Sequence, residues 1–266
     1  MKKIFISADI EGTCGISAWP QTDNNHSEYS QFAERMTQEV RSACLGAASE
    51  GVEAILVKDA HGSGRNLYTE KLPKIARVFQ GWGNGPFNMM EGLDETFAGV
   101  FLTGYHAGAS MGGNPLAHTM NTGNVSVYIN DETASEMMIS AYTAAMLRVP
   151  LLMVTGDEKL CQAVKKISPN SITVPVSIGI GAGSVALHPE KAQEEIYLGA
   201  IRAMQTAPES CIIPLPEVFS IRIIYRDHAK ARTCSFFPGA KHIESNTVEY
   251  TCQSFYDALV FFQFCL

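Results

Sequence analysis

Short apolar runs and longer amphipathic stretches alternate along most of the chain. Runs that predict buried strands lie at about 2–9, 54–57, 99–104 and 151–154, with shorter candidates at 78–79 and 172–176. Apolar positions three or four apart predict helices at about 27–50, 132–148 and 189–205, with shorter ones at 90–97 and just before 167. Because strands and helices alternate, we expect an α/β fold with a mostly parallel sheet flanked by helices, of the Rossmann-like type.

The pattern changes after residue 206. Three prolines fall within 207–216, and strand-like alternation follows before a final aromatic helix at about 254–264. We therefore predict an α/β domain at 1–206 and a smaller C-terminal α+β domain at 207–266. The alternative is that the C-terminal strands extend the first sheet. A separate alternation around 122–124 predicts a hairpin within 118–129.

Composition narrows the classes of function. The chain has 266 residues, enough for a sizeable core, and a formal net charge of -7 disfavours nucleic acid and anionic membranes as partners. The first apolar run is too short for a secretory signal, and no stretch approaches the roughly 18 apolar residues of a membrane span. Seven scattered cysteines without a C-x-x-C pair favour free thiols in a reducing compartment, so we expect a cytoplasmic protein.

Two carboxylates one residue apart, Asp9 and Glu11, follow directly after the first predicted strand. The carboxyl ends of parallel strands share one edge of an open sheet, where ligands bind. Two acids at such a place must be paired or bound to cations. Two further apolar runs lead to His61 and His106, and Glu136 lies in the first turn of a predicted helix. These five residues therefore suggest a metal site, although they share no local spacing motif.

The same residues have simpler interpretations when each is taken alone. An acid after a strand is often a helix cap, a single histidine is often a hydrogen-bonded loop residue, and Glu136 suits a helix N-terminus. Together, two imidazoles and three carboxylates suit Zn²⁺, with Mn²⁺ or another divalent metal as the alternative, and five ligands fit two ions. His118 is a candidate acid or base, and Asp59 is a candidate to orient His61.

The candidate ligands lie within short motifs that follow one another in order. These are Asp9-Ile10-Glu11-Gly12, Asp59-Ala60-His61, Glu91-Gly92-Leu93-Asp94, Gly104-Tyr105-His106-Ala107, Ala117-His118-Thr119-Met120, Tyr128-Ile129-Asn130-Asp131 with Glu136, and Val154-Thr155-Gly156-Asp157. No single tetrapeptide is specific, but the ordered set resembles peptidase family M55, the DppA-type D-aminopeptidases. The resemblance covers nearly the whole chain and is strongest before residue 158.

The resemblance implies a binuclear zinc aminopeptidase that is self-compartmentalising and hydrolyses short peptides with an N-terminal D-amino acid. It implies that Asp9 bridges both zinc ions, that Glu11 and His106 complete one site, and that His61 and Glu136 complete the other. It also implies a homodecamer of two stacked five-membered rings. The expected partner is thus a small peptide substrate, with neither nucleic acid nor membrane involved.

His118 matches the position proposed as the catalytic nucleophile of this family. We expect instead that a water activated by two metals attacks the peptide, with His118 moving protons. Three residues depart from the family pattern, namely Ser135 for glycine, Ala117 for serine and Lys58 for asparagine. They leave the ligand set intact but put the D-residue preference in question. The alternatives are a dinuclear hydrolase of another small amide or ester, and a non-catalytic cytoplasmic peptide-binding protein.

Overall fold

The computed structural model describes residues 2–266 and contains two β-sheets with helices packed around them. The strands are β1 (Lys3–Ala8), β2 (Ala54–Asp59), β3 (Ala76–Phe79), β4 (Gly99–Tyr105), β5 (Asn124–Ile129), β6 (Glu132–Thr133), β7 (Leu151–Asp157), β8 (Ile172–Ile180), β9 (Gly183–Ala186), β10 (Phe219–Tyr225), β11 (Lys241–Glu244) and β12 (Thr247–Cys252). The helices are α1 (Tyr29–Ser49), α2 (Glu136–Met146), α3 (Glu158–Ile167), α4 (Pro189–Gln205), α5 (His228–Cys234) and α6 (Phe255–Cys265).

The first sheet has seven strands in the order β3-β2-β1-β4-β7-β8-β9. Its neighbouring strands run parallel except for the pair β8 and β9. The central strand β1 carries Ile4, Phe5 and Ile6, all fully buried, because helices and loops cover both faces of a parallel sheet. The predicted α/β fold with a mostly parallel sheet is confirmed.

The second sheet is antiparallel, in the order β11-β12-β10-β5-β6. Every described strand after residue 206 belongs to this sheet, so the alternative in which the tail extends the first sheet is wrong. The second sheet also takes β5 and β6 from the part of the chain before residue 207. The division at 206/207 stays a prediction, and the topology shows that it does not separate the two sheets.

The predicted hairpin around 122–124 is wrong. Strand β5 begins at Asn124 and turns back after Ile129, where Asn130 and Asp131 adopt φ of 52° and 65° and lead into the short strand β6. Asparagine and aspartate tolerate this left-handed conformation better than most residues. Threonine and glycine at 122–123 resembled a turn locally, but strand pairing placed the turn at Asn130 and Asp131.

Helix α2 begins four residues later than the amphipathic pattern predicts. Residues 132–133 pair with β5, and Ser135 caps the helix by accepting a hydrogen bond from the Met138 amide. The predicted helix at 90–97 forms turns instead, and α5 has no counterpart among the predicted helices. In the part of the chain that the structure describes, no helix has the length and apolar character needed to cross a bilayer.

Candidate metal centre

Three neighbouring strands deliver the candidate ligands to one edge of the first sheet. In the parallel register, Ala8 at the end of β1 lies beside Asp59 of β2 and beside Thr103 of β4. The residues that follow these strand ends include Asp9, His61 and His106. Glu136 reaches the same edge as the first residue of α2. The strand order thus explains why side chains almost a hundred positions apart meet.

The turn after β1 lies tightly on the end of β4. The Asp9 amide donates to the Thr103 carbonyl at 2.9 Å, and the Gly12 amide donates to the Gly104 carbonyl at 2.8 Å. A Cβ atom at Gly12 would lie 1.8 Å from the Tyr105 carbonyl oxygen. Only glycine allows this close approach, which folds the turn so that both acids face the same side.

Asp9, Glu11 and His61 form the first part of the cluster. His61 Nδ1 lies 3.3 Å from Asp9 Oδ1 and 3.1 Å from Glu11 Oε2. The other ring nitrogen, Nε2, lies 2.9 Å from the Thr22 carbonyl oxygen, which can only accept a hydrogen bond. Nε2 therefore carries a hydrogen, and Nδ1 faces the two carboxylates.

His106 and Glu136 form the second part, which Asp9 also joins. His106 Nε2 lies 3.4 Å from Asp9 Oδ2 and 3.3 Å from Glu136 Oε2, while Nδ1 lies 2.9 Å from the Ala107 carbonyl oxygen. Asp9 contacts an imidazole in each part, as a bridging residue would. The two pairs are His61 with Glu11 and His106 with Glu136, which differs from the pairing that the family resemblance implied.

His118 lies against the second part of the cluster. Its Nε2 is 3.5 Å from Glu136 Oε1, and its Nδ1 is 2.8 Å from the Leu116 carbonyl oxygen. The ring stacks on His106 with centroids 4.4 Å apart, and Trp19 contacts it edge-on with centroids 5.3 Å apart. The imidazole is thus held in one orientation, with Nε2 directed toward the Glu136 carboxylate.

The cluster has the features of a metal site. Three buried atoms of the cluster have no hydrogen-bond partner among the described residues: Asp9 Oδ2, Glu11 Oε2 and His106 Nε2. Buried polar atoms of this kind are costly unless something pairs with them. Ligand atoms of Asp9, Glu11 and His61 lie within 4.8 Å of one another, as do those of His106, His118 and Glu136. Carboxylates and imidazoles held by backbone carbonyls are the donors that zinc takes.

Charges in the cluster depend strongly on one another. Burial raises the pKa of Asp9 well above its usual value, and the neighbouring Glu11 carboxylate adds to this. Burial acts the same way on Glu11, but His61 outweighs it and holds the pKa of Glu11 far below its usual range. Burial opposes charge on His106, yet the Glu136 carboxylate raises the pKa of His106 to about 10. Burial also opposes charge on Glu136, but His106 lowers the pKa of Glu136 to about 2. Positive charge is therefore strongly favoured between these acids.

Asp59 supports the loop that carries His61 and does not contact its ring. The Asp59 carboxylate accepts hydrogen bonds from the Asn66 amide and side chain and from the Leu67 amide at 2.9 Å. Asn66 Nδ2 in turn donates to the His61 carbonyl at 2.6 Å. Asp59 therefore positions the backbone around His61. Lys58 Nζ donates to the backbone carbonyl of Asp59 and not to its carboxylate.

Two supporting residues were not assigned a role from the sequence. Asp157 Oδ2 accepts a hydrogen bond from the Ala107 amide at 2.7 Å, which fixes the chain just after His106. Asn114 Nδ2 donates to the Glu11 carbonyl at 3.1 Å. Asp157 ends the fourth core strand, so the rule that placed acids at strand ends also applied to it. Asn114 lies in a glycine-rich loop without any such signal.

Four of the five candidate ligands, Asp9, Glu11, His61 and Glu136, line a cleft of about 570 Å³. Both tryptophans of the chain, Trp19 and Trp82, line it, although sequence reasoning named neither. The buried Lys58 supports this wall, since Nζ lies 4.0 Å from the centre of the Trp82 ring and donates to the carbonyls of Asp59 and Gly81 at 2.7 Å. Tryptophan is scarce in this chain, and that scarcity was a usable signal.

Known proteins resemble the chain over nearly its full length. A family model described as D-aminopeptidase, the M55 peptidases, matches residues 1–264. A D-aminopeptidase of Bacillus subtilis (strain 168) is 31% identical over 258 residues, which cover 96% of this chain and 93% of the relative. The solved structure of the Zn-dependent D-aminopeptidase DppA from Bacillus subtilis, described as a self-compartmentalizing protease, superimposes with a TM-score of 0.89 at 29% identity. It covers 99% of this chain and 97% of that chain.

The matches confirm the resemblance that the ordered motifs indicated. The relative's identity exceeds 30% across almost all of both chains, and the fold agrees over the same length. The chain therefore belongs to the M55 family of D-aminopeptidases, which are metallo-aminopeptidases.

Proposed function

We propose that this chain is a zinc-dependent aminopeptidase with two metal ions per subunit, acting on short peptides with an N-terminal D-amino acid. The observation that carries the proposal is the buried cluster of three carboxylates and three imidazoles. Each imidazole keeps one nitrogen on a backbone carbonyl and turns the other toward a carboxylate. The D-residue preference is supported by the names of the family and of its relatives.

The distances favour a definite division of the ligands. Asp9 would contribute to both metals, Glu11 and His61 would complete one site, and His106 and Glu136 would complete the other. Zinc suits this donor set, and Mn²⁺ is the alternative. When bound, such ions act as Lewis acids on the peptide carbonyl and lower the pKa of water. Asp9, Glu11, His106 and Glu136 are all buried, and this reduced contact with water strengthens charge interactions within the site.

His118 would hold and move the proton at Nε2 rather than attack the peptide or bind metal. Its Nε2 lies 3.5 Å from Glu136 Oε1, and the contacts of the ring with Trp19 and His106 keep it at the cleft wall. Histidine suits proton transfer near neutral pH because its ordinary pKa is close to 6.5. The hydrogen bond from Nδ1 to Leu116 fixes which nitrogen faces the substrate.

We also propose a cytoplasmic homodecamer of two five-membered rings. The related DppA structure is described as self-compartmentalizing, which supports an assembly that encloses its sites. All seven cysteines are free and buried, which supports a reducing compartment.

The first experiment supplies the purified protein with zinc and measures amino-acid release from matched D- and L-dipeptides, together with metal content. We expect about two zinc ions per subunit and faster release from peptides with an N-terminal D-residue. If the metal-loaded protein released no amino acid from any dipeptide, the proposed activity would be refuted.

The second experiment separates an enzyme from a peptide-binding protein. His118→Ala should retain both metals and lose turnover, by about 100-fold or more if the imidazole is a general acid or base. His242→Ala, an exposed histidine on β11, should change neither quantity. Loss of one metal in His118→Ala would show that this histidine is a ligand, and unchanged turnover would exclude it from catalysis.

A further inference from the structure

A second cavity of about 230 Å³ adjoins the metal cleft, and we call it the side pocket. Its wall combines the apolar side chains of Phe87, Met89, Met90, Ile139, Leu259 and Phe262 with polar groups of Asn88, Asn121, Ser140, Thr143 and Gln263. The side pocket and the metal cleft share Asn88, Met89, Met120, Asn121 and Gln263. The two cavities therefore lie side by side, separated only by these shared residues.

Two residues of the junction between the cavities have an unusual backbone conformation. Asn88 and Met120 have φ of 48° and 65°, in the left-handed region that a long side chain such as methionine seldom adopts. The Met120 amide donates to Glu136 Oε1 at 2.7 Å, so the junction is tied to a candidate metal ligand. Strain of this kind persists where the surrounding structure holds it, and it concentrates at ligand sites.

One polar atom at the junction lacks a partner. Asn88 Oδ1 is buried and has no hydrogen-bond donor within the described residues. The two hydroxyl groups of the side pocket are already paired, since Ser140 Oγ lies 3.1 Å from Tyr105 Oη and Thr143 Oγ1 donates to the Ile139 carbonyl. An amide oxygen only accepts hydrogen bonds, so Asn88 Oδ1 is free to accept one from an N–H or O–H group of a ligand.

We propose that the side pocket binds a large apolar side chain of the substrate's N-terminal residue, while Asn88 Oδ1 accepts a hydrogen bond from that residue's amino group. The inference rests on the proposed aminopeptidase function and names the substrate class of the same site. The amino group and the side chain are attached to one Cα, so an acceptor at the pocket mouth and an apolar pocket behind it fit a single residue. Side chains the size of leucine, methionine or phenylalanine match this cavity better than a methyl group does.

Acidic N-terminal residues fit these surfaces poorly. None of the residues that line the side pocket has a charged side chain. A carboxylate placed there would lose its hydration without gaining a cationic side chain as a partner. The pocket therefore selects by size and polarity, and Asn88 acts as a positioning residue for the amine.

The test measures binding and so does not depend on turnover. D-leucinol and D-alaninol keep the amine and the side chain but have no bond to hydrolyse. Calorimetry on the zinc-loaded full-length protein should show tighter binding of D-leucinol by about tenfold or more, since three additional carbon atoms enter an apolar pocket. Ile139→Phe and Leu259→Phe, which fill the pocket from α2 and α6, should remove this preference and retain the affinity for D-alaninol.

Asn88→Gly removes the acceptor while tolerating the left-handed backbone. It should weaken the binding of both amino alcohols by a similar factor, about fivefold for the loss of one hydrogen bond. Asn88→Asp keeps an acceptor oxygen and should bind both amino alcohols. Equal affinity of the wild-type protein for the two amino alcohols, or binding of neither, would overturn the pocket assignment. A preference for D-leucinol that survives in both filled variants would also overturn the pocket assignment. Unchanged binding of both amino alcohols by Asn88→Gly would show that Asn88 does not hold the amine.

Dipeptide hydrolysis separates this inference from the proposed function. If the wild-type protein hydrolyses D-alanyl and D-leucyl dipeptides equally well and binds the two amino alcohols equally, the function stands and the side pocket is refuted. If no dipeptide is hydrolysed but the leucinol preference holds and disappears in the filled variants, the pocket stands as a ligand site and the enzymatic proposal fails.

Discussion

The buried acid Glu39 on α1 gives a quantitative test of how burial controls charge beside the turn that carries Asp9 and Glu11. Its side chain is only 3% exposed, and Oε1 accepts a hydrogen bond from the Cys14 amide at 2.8 Å, while Oε2 has no partner among the described residues. Burial raises the pKa of Glu39 from 4.5 to about 8, and the Cys14 amide and Arg35 offset only part of this effect. At neutral pH the folded protein therefore keeps a proton on Glu39.

The sign of the resulting pH dependence follows from the two pKa values. Below pH 4.5 both folded and unfolded chains are protonated at Glu39, and the stability linked to this proton is fully present. As the pH rises toward 8, the unfolded chain releases the proton and the folded one keeps it, so the free energy of unfolding falls. At about 1.4 kcal/mol per pH unit, the loss between pH 5 and pH 8 is on the order of 3 to 4 kcal/mol.

Glu39→Gln removes this titration and retains an oxygen for the Cys14 amide. Its buried NH₂ group lacks an acceptor, which costs about 1 to 3 kcal/mol at every pH. The stability of Glu39→Gln minus that of the wild type should therefore increase by about 3 to 4 kcal/mol from pH 5 to pH 8. Urea unfolding in the presence of a chelator, followed by circular dichroism at each pH, measures this difference.

Glu34→Gln on the same helix is the matched control. Hydrogen bonds from Lys71 and Gln38 lower the pKa of Glu34. The stability of Glu34→Gln relative to the wild type should therefore not increase as the pH rises from 5 to 8. A difference between Glu39→Gln and the wild type that stays constant from pH 5 to pH 8 would refute the reasoning. It would mean that Glu39 is ionised in the folded protein despite its burial.

Two further predictions concern the turn after β1. Asp9→Asn should lose both metals because Asp9 lies between the two parts of the cluster. Glu11→Gln should lose mainly one metal, since the Glu11 carboxylate contacts only His61 among the histidines. Equal metal content of the two variants by elemental analysis would contradict this division. Gly12→Ala should lower the free energy of unfolding by about 2 kcal/mol or more, since its Cβ would lie 1.8 Å from the Tyr105 carbonyl oxygen. Gly183→Ala, whose nearest atom would be 3.8 Å away, should stay within about 0.5 kcal/mol in the same urea titration, and similar losses in both variants would disprove the steric explanation.

The first sheet could be predicted because its signals are local. Continuous apolar runs with helices between them require a buried parallel sheet, and the predicted helix at 189–205 matches α4 at both ends. The second sheet could not be predicted in the same way. Its strand β5 precedes β10 by about ninety residues, and no local pattern states which distant strand will pair with it. The misplaced hairpin has the same origin.

The candidate site divides along the same line. Strand-end acids and histidines were visible as Asp9, Glu11, His61 and His106, because parallel strands bring their carboxyl ends to one edge. Glu136 was a candidate because it lies in the first turn of a predicted helix and because the family resemblance includes it. The pairing of Glu11 with His61 depends on side-chain directions, and only the folded chain shows it. Asn88 and the side pocket had no sequence signal, since their meaning comes from neighbours distant along the chain.

The sequence by itself thus determined the fold class, the family and the residue types able to bind metal. Those properties depend on hydrophobic periodicity and on the order of short motifs, which are local along the chain. Tertiary structure alone decided which ring nitrogen faces the acids, which acid lies between two imidazoles, and where an apolar pocket opens beside them. These depend on distances and on exclusion of water, which arise only when remote segments pack together.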